Sequence, residues 1–250
     1  MATGSNAAIP QMPSSPNNTT TLPSPYLIPR FTRTERAVHW TYAVFFLILL
    51  ATGLVMELPF LSTLVTDRYT VRLIHFIAAA FLIIIPFLVA LLGNWGAVRE
   101  TAHDFDHWDE GDRHWASDIW NGHETQPGRF NAGQKLNATF TVGALLLFVV
   151  TGAIMLTNIY GRLFPLWLVS NASYVHDILT WFALFAWLGH VYLSVIHPST
   201  RPSLRGMLTG SVRAGWAREH HPLWYQRQIA TGPDTSTESG HVVAPVPVDR

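Results

Sequence analysis

The hydrophobic positions of this chain fall into four long runs that are separated by polar segments. The runs cover about residues 37–58, 72–93, 137–157 and 174–196, and each is bounded by charged residues, Gly, Pro or Asn. A helix needs roughly 20 mostly apolar residues to cross the hydrocarbon core of a bilayer. The pattern therefore predicts an all-α integral membrane protein built as a bundle of four transmembrane helices.

The two ends of the chain and its longest connection differ in composition from the runs. Residues 1–29 are rich in Pro, Ser, Thr and Asn and lack the charged start and apolar core of a signal peptide. We predict a disordered tail there and another at residues 229–250, which leaves residues 30–228 as the membrane domain. The connection 94–136, with an acidic first half and four Trp, favours either interfacial structure at the headgroups or a docking surface.

Composition narrows the function classes. Only 13% of the residues are charged and 49% are hydrophobic, as expected for a membrane protein. The formal net charge is zero, which gives no reason to expect a nucleic-acid partner. The chain has no Cys, and this excludes disulfides, thiolate-bound iron–sulfur clusters and covalently attached c-type haem.

The distribution of Arg and Lys predicts the orientation. With four spans, both termini and the long connection share one side of the membrane, and that side is rich in positive charge. It is therefore expected to be the cytoplasm. The positive residues on this side are Arg30, Arg33, Arg36, Arg99, Arg113, Arg129, Lys135, Arg201, Arg205, Arg213, Arg218 and Arg227, against Arg68, Arg72 and Arg162 on the other side.

Four histidines lie in or at the edge of the spans, at positions 39, 75, 176 and 190. Ionisable side chains inside a membrane are costly and point to function, although a single such residue can also be an ordinary hydrogen-bonded group at a helix end. His176 and His190 are fourteen residues apart, which places them about 21 Å apart on one side of a helix. They cannot share one metal ion, but each can serve a separate site.

Topology pairs these histidines by depth. His75 and His176 fall near the outer surface, whereas His39 and His190 fall near the inner surface. Paired histidines between the helices of a bundle can hold a b-type haem, with one imidazole on each face of the iron. Zinc suits the pairs less well, because each would lack a third and fourth ligand.

Two further sequence features have both a structural and a functional interpretation. The words "TGLVM" (52–56) and "TGAIM" (151–155) place Gly53 and Gly152 where either a porphyrin or, more simply, a neighbouring helix can approach closely. The motif "GRFNAGQKLN" (128–137) predicts either a helix cap followed by a snorkelling Lys, or a small-molecule site that would suit a quinone. In that site Asn131, Gln134 and Lys135 would supply polar groups, and Ala132 and Gly133 would leave the backbone accessible.

The segment from Arg205 to Tyr225 is basic and contains Trp, so it predicts an amphipathic segment on the cytoplasmic surface. His220 and His221 lie within it. They could bind a metal or relay protons, but the simpler interpretation is a pair of ordinary interfacial histidines.

The chain resembles the di-haem cytochrome b (gamma) subunit of respiratory membrane-bound formate dehydrogenase. The matching words are "ERAVHW" (35–40), "LIHF" (73–76), "RFNAGQK" (129–135), "YVHDI" (174–178), "LGHVYLSVIHP" (188–198) and the segment "GMLTG…WAREHHPLWY" (206–225). The resemblance covers about residues 30–228. Departures are the long N-terminal tail and the "HFIAAAFL" that follows His75, which changes the packing expected beside the outer pair.

The resemblance implies two b haems with bis-histidine ligation, His75 with His176 and His39 with His190. It also implies a menaquinone or ubiquinone site near the inner haem, formed by Asn131, Gly133, Gln134 and His190. The implied partners are an iron–sulfur subunit and a molybdenum or tungsten catalytic subunit, so formate is oxidised on another chain.

Other functions remain open from the sequence. A cytochrome b subunit of a hydrogenase or of another molybdenum oxidoreductase would carry the same histidines. A proton-coupled transporter is less favoured, because the spans contain no acidic or lysine relay apart from Asp177. A structural anchor without a cofactor would need the four histidines only for assembly.

Overall fold

The fold is a bundle of four long helices. A computed structural model describes residues 26–121 and 126–231. The long helices are α1 (Arg33–Glu57), α3 (Arg68–Leu92), α6 (Ala132–Gly161) and α7 (Leu166–Val191), and α7 continues through a π-helical turn to Ile196. Each is long and apolar enough to span a membrane. The predicted fold class is confirmed.

The helices begin earlier than the hydrophobic runs, and local capping explains this. Asn131 and Gln134 form a capping box, so α6 starts at Ala132 rather than near residue 137. α7 starts directly after Pro165, its N-cap residue with an extended backbone, rather than near residue 174. Thr32 and Glu35 form a second capping box at the start of α1.

The long connection between α3 and α6 contains two helices, α4 (Trp95–Asp106) and α5 (Glu110–Trp120). It lies at the end of the bundle that the sequence predicts to face the cytoplasm, called the inner side below. Asn94 caps α4 with its side chain, and its backbone N–H donates to the Thr34 hydroxyl at 2.9 Å. On the opposite side a single short helix, α2 (Pro59–Ser62), precedes α3. The inner connection therefore has helical structure that lies against the ends of α1 and α6.

The two termini of the described chain meet in a small unit on the inner side. Strand β1 (Leu27–Pro29) pairs antiparallel with β2 (Ser211–Arg213). After a 3₁₀ turn (Arg201–Ser203), this unit also contains helices α8 (Leu204–Thr209), α9 (Ala214–His220) and α10 (Pro222–Thr231). Its buried core consists of Ile28, Val212, Ala214, Ala217, Trp224 and Tyr225.

Ordered elements of this unit extend into both segments that the sequence predicts to be tails, residues 1–29 and 229–250. Strand β1 covers Leu27–Pro29, and α10 continues to Thr231. Most of both predicted tails lies outside the described residues. The segment after α7, predicted as an amphipathic surface segment, is folded around its own core because β1 supplies a partner strand.

The transmembrane helices pack as two hairpins. α1 lies along α3, α6 lies along α7, and the hairpins meet between α1 and α7. Small residues such as Ala78, Ala144 and Ala183 are buried at these contacts and let the backbones approach closely. Pro86 lies inside α3, where its backbone nitrogen cannot donate a hydrogen bond. The four intramembrane histidines are carried by α1, α3 and α7.

Candidate functional site

The outer histidine pair consists of His75 on α3 and His176 on α7. Their ring centres are 6.4 Å apart and the ring planes are inclined by 58°. Both side chains are half-buried. Phe148 of α6 lies edge-on against His176 at 4.8 Å. The structure thus brings together two imidazoles from different hairpins at one level of the bundle.

Each outer histidine is held by a threonine on the neighbouring helix of its own hairpin. Thr52 Oγ1 lies 2.8 Å from His75 Nδ1, and Thr151 Oγ1 lies 2.8 Å from His176 Nδ1. The glycine that follows each threonine faces the same ring. A Cβ atom at Gly53 or Gly152 would lie 3.7 Å from the Cε1 atom of its histidine. These glycines therefore lie beside the imidazoles.

The inner pair consists of His39 on α1 and His190 on α7. Their ring centres are 6.2 Å apart, with an angle of 53° between the planes. His39 is half-buried and His190 is exposed. Trp40 lies edge-on against His39 at 5.3 Å, and its indole N–H donates to the Met207 carbonyl at 3.1 Å. This contact ties the inner pair to α8 in the small unit where the two ends of the described chain meet.

A metal ion held between two opposed imidazoles fixes the distance between their ring centres. Two metal–nitrogen bonds of about 2.0 Å, with about 1.1 Å from each nitrogen to its ring centre, give about 6.2 Å in all. The two observed distances match this value. Within the described part of the chain no group of three His, Cys, Asp or Glu could hold a metal ion. The pairs therefore fit a haem iron with an imidazole on each face.

The polar motif at the start of α6 forms a helix cap. Asn131 Oδ1 accepts from the Gln134 N–H at 2.9 Å, and Gln134 Oε1 accepts from the Asn131 N–H at 3.0 Å. Because the oxygens make these bonds, both side-chain NH₂ groups remain as donors, and neither bonds to another described residue. The two interpretations of this motif, a helix cap and a quinone site, are therefore compatible.

Helix α5 packs directly on this cap. A Cβ atom at Gly133 would lie only 3.0 Å from Cη2 of Trp115. Lys135 is buried, and its ammonium group donates to Asp112 at 2.5 Å and to the His107 carbonyl at 2.8 Å. Lys135 does not snorkel towards the headgroups as one interpretation of the sequence predicted, because a carboxylate from α5 reaches it first.

A second ionic cluster joins the other inner-side elements. Arg129 pairs with Glu35 of α1 at 2.6 Å and with Asp104 of α4 at 3.2 Å. Thr101 also bonds to both Glu35 and Arg129. The guanidinium of Arg129 donates to the Arg30 carbonyl at 2.6 Å. The cluster thus ties the start of α1 to α4 and to the strand that precedes α1.

His221 is buried rather than interfacial, which corrects the simpler interpretation of the sequence. Its Nδ1 lies 2.8 Å from the Gly128 carbonyl, so Nδ1 carries the hydrogen, and Nε2 faces Arg30 at 3.2 Å. Burial, with the nearby Arg30 charge, lowers the pKa of His221 to about 3. Burial and then Arg129 lower the pKa of Arg30 to about 9. His221 is therefore neutral. His220 stacks on Trp216 at 5.0 Å.

A comparison with known families identifies the chain. The profile of the family described as prokaryotic cytochrome b561 matches residues 30–210. The chain belongs to this family. Membership implies a b-type haem and electron transfer in a prokaryotic membrane. Within the described residues, the facing pairs His75 with His176 and His39 with His190 have a spacing that suits an iron ion between two imidazoles.

Relatives with assigned names support the resemblance drawn from the sequence. The cytochrome b556(Fdn) subunit of nitrate-inducible formate dehydrogenase from Escherichia coli K12 is 28% identical over 198 residues, covering 77% of this cytochrome and 87% of the relative. The formate dehydrogenase cytochrome b556 subunit of Haemophilus influenzae is 25% identical over 203 residues, covering 78% and 80%. The Escherichia coli K12 cytochrome b556(fdo) subunit is 25% identical over 205 residues, covering 80% and 92%.

Proposed function

We propose that this cytochrome is the membrane electron-transfer subunit of a formate dehydrogenase complex. It carries electrons through two b haems to a membrane quinone on the cytoplasmic side. The observation that carries the proposal is the presence of two facing histidine pairs, at 6.4 Å and 6.2 Å, at the two ends of one bundle. The names of the relatives supply the link to formate.

The four histidines hold the cofactors in this proposal. His75 and His176 bind the outer haem, and His39 and His190 bind the inner haem. A bound b haem supplies reversible one-electron transfer at its iron. His176 and His190 lie in the same continuous helix, α7, so that helix fixes the spacing between the two sites at about 21 Å along its axis.

The start of α6 is the proposed quinone site. The NH₂ groups of Asn131 and Gln134 supply donors for quinone carbonyl oxygens, while Gly133 keeps the backbone beneath Trp115 free of a side chain. One quinone takes two electrons, which arrive one at a time, and two protons from the cytoplasm to form one quinol. Electrons that enter from the outer side and protons taken up inside both contribute to the transmembrane potential.

The orientation and the partners complete the proposal. Both termini and the α4–α5 connection face the cytoplasm of a bacterial inner membrane, because the positive residues gather on that side. An iron–sulfur subunit delivers electrons to the outer haem, and a molybdenum or tungsten subunit oxidises formate. The lack of Cys fits a chain that leaves cluster binding to a partner.

A haem count on the purified chain tests the cofactor part. The dithionite-reduced minus oxidised spectrum is expected to show two b haems per polypeptide. Single Ala variants of the four histidines should each remove one haem. His114→Ala is the matched control, since His114 is exposed and its side chain pairs, among the described residues, only with Glu110 on α5. A folded wild-type chain without haem, or loss of haem in the control, would overturn the assignment.

A reduction experiment tests the donor. Membranes with the whole complex are expected to reduce both haems on addition of formate, and inactivating the molybdenum or tungsten subunit should abolish this. Reduction by hydrogen but not by formate would instead assign the cytochrome to a hydrogenase.

A further inference from the structure

Two threonine hydroxyls distinguish the outer histidine pair from the inner pair. We propose that Thr52 and Thr151 are positioning residues that fix Nε2 of His75 and His176 as the iron-binding nitrogens and give the outer haem a lower midpoint potential than the inner haem. The proposal rests on the proposed function, because it presumes that both pairs hold haem.

Counting hydrogens fixes the direction of each bond. A Thr hydroxyl has a single hydrogen. Thr52 Oγ1 lies 2.7 Å from the Ile48 carbonyl and Thr151 Oγ1 lies 2.7 Å from the Leu147 carbonyl, and a carbonyl can only accept. Both hydroxyls therefore donate to their own helix and accept from the histidine. The hydrogen of each imidazole is consequently on Nδ1, which leaves the lone pair on Nε2.

The same arrangement occurs in both hairpins. In each, a threonine on the first helix accepts from a histidine on the second at 2.8 Å, and the adjacent glycine lies beside the Cε1 atom of that ring. Accidental packing would not be expected to repeat the distance, the order of residues and the hydrogen count. The repeat indicates that both imidazole rings of the outer pair need the same tautomer, with the hydrogen on Nδ1.

The inner pair lacks this support. Neither ring nitrogen of His39 or His190 bonds to another residue in the ranges 26–121 and 126–231. A hydrogen bond accepted from Nδ1–H increases the basicity of Nε2 and orients the ring. A more basic axial ligand stabilises the oxidised iron and lowers the potential. Electrons that enter at the outer site therefore move to a site of higher potential.

Redox titration of hydroxyl variants tests the proposal. Thr52→Val and Thr151→Val keep the side-chain shape but cannot accept from the imidazole. Each variant is expected to raise the midpoint potential of the outer haem and to leave that of the inner haem unchanged. The expected change is threefold to tenfold in the ratio of reduced to oxidised haem at a fixed potential, or about 30–60 mV for a one-electron couple. His75→Ala identifies the outer haem by removing it.

Matched variants separate the hydroxyl from other effects of substitution. Thr52→Ser and Thr151→Ser retain the acceptor and should keep the wild-type potential. Thr157→Val is the control, since that hydroxyl on α6 bonds only to carbonyls of its own helix. Low-temperature electron paramagnetic resonance of the oxidised protein should show a changed signal for the outer haem alone. If a valine variant loses the outer haem while the serine variant keeps it, the positioning role is supported.

Three results would overturn the proposal. They are wild-type potentials for both haems in both valine variants, an equal shift in Thr157→Val, and an outer haem whose potential exceeds that of the inner haem in the wild type. A wild-type chain that carries no haem would be a different failure, because it removes the proposed function itself.

Discussion

The capping box at the start of α6 gives a test that separates a structural role from quinone binding. In Asn131 and Gln134 the oxygens cap the helix, whereas the NH₂ groups bond to no other described residue. Asn131→Asp and Gln134→Glu keep the capping oxygens and replace each NH₂ with an acceptor. A negative charge at a helix N-terminus is also favourable. Both variants should therefore fold normally and bind both haems.

The loss of one donor sets the expected size of the effect. A hydrogen bond to a neutral carbonyl contributes about 0.5–1.5 kcal/mol, which corresponds to about a 2- to 12-fold rise in the quinone Kd. Asn131→Ala removes both the donor and the cap, so it should weaken binding similarly and also cost about 1 kcal/mol of stability. Only the Ala variant is expected to lower the thermal unfolding temperature.

The assay is the rate at which a short-chain naphthoquinol reduces the haem in the purified chain, measured over a range of quinol concentrations. Asn137→Asp controls for the added charge, because Asn137 is an exposed residue of α6 outside the cap. If Asn131→Asp and Gln134→Glu show the wild-type concentration dependence, the two residues only cap the helix and the quinone site lies elsewhere.

Three further outcomes follow from the inner-side contacts. Burial lowers the pKa of His221 to about 3 in the folded protein, against about 6.5 in the unfolded chain, so the unfolded state binds more protons between these pH values. Chemical denaturation should therefore show that the free energy of unfolding falls as the pH drops from 6.5 to 3. His221→Gln should flatten that pH dependence. Asp112→Ala leaves Lys135 buried without its carboxylate and should lower the free energy of unfolding by about 3 kcal/mol. In thermal unfolding, the double variant Asp112→Ala with Lys135→Met should recover much of that loss. Full stability of Asp112→Ala alone would contradict the buried pair. Gly133→Ala should destabilise the protein by about 1 kcal/mol because its Cβ would lie 3.0 Å from Trp115, whereas Gly143→Ala, with nothing within 4 Å, should not.

The sequence predicted the helices and the histidine pairs well, for physical reasons. Span length follows from bilayer thickness, and the alternation of chain direction places the starts and ends of spans at known depths. His39 therefore had to face the level of His190, and His75 the level of His176. The structure brings the members of each pair together.

The partners of polar side chains were harder to predict. The motifs "TGLVM" and "TGAIM" indicate close packing at their glycines but not a role for their threonines. Whether Thr52 faces His75 depends on the rotation of α1 against α3, which hydropathy does not determine. The acidic stretch around Asp112 does not indicate that this carboxylate turns inward to Lys135. His221 became buried only because β1 returns to pair with β2.

The pairing of β1 with β2 joins the first and last described elements of the chain. Residue 27 is synthesised well before residue 213, its partner in the sheet. The strand pair therefore cannot close until all four spans have been made. Until then Arg30 lacks His221, and Trp40, next to His39, lacks the Met207 carbonyl. Among the described elements, this end of the bundle is thus the last to be closed, so the level of His39 and His190 stays accessible from that end until the strand pair forms.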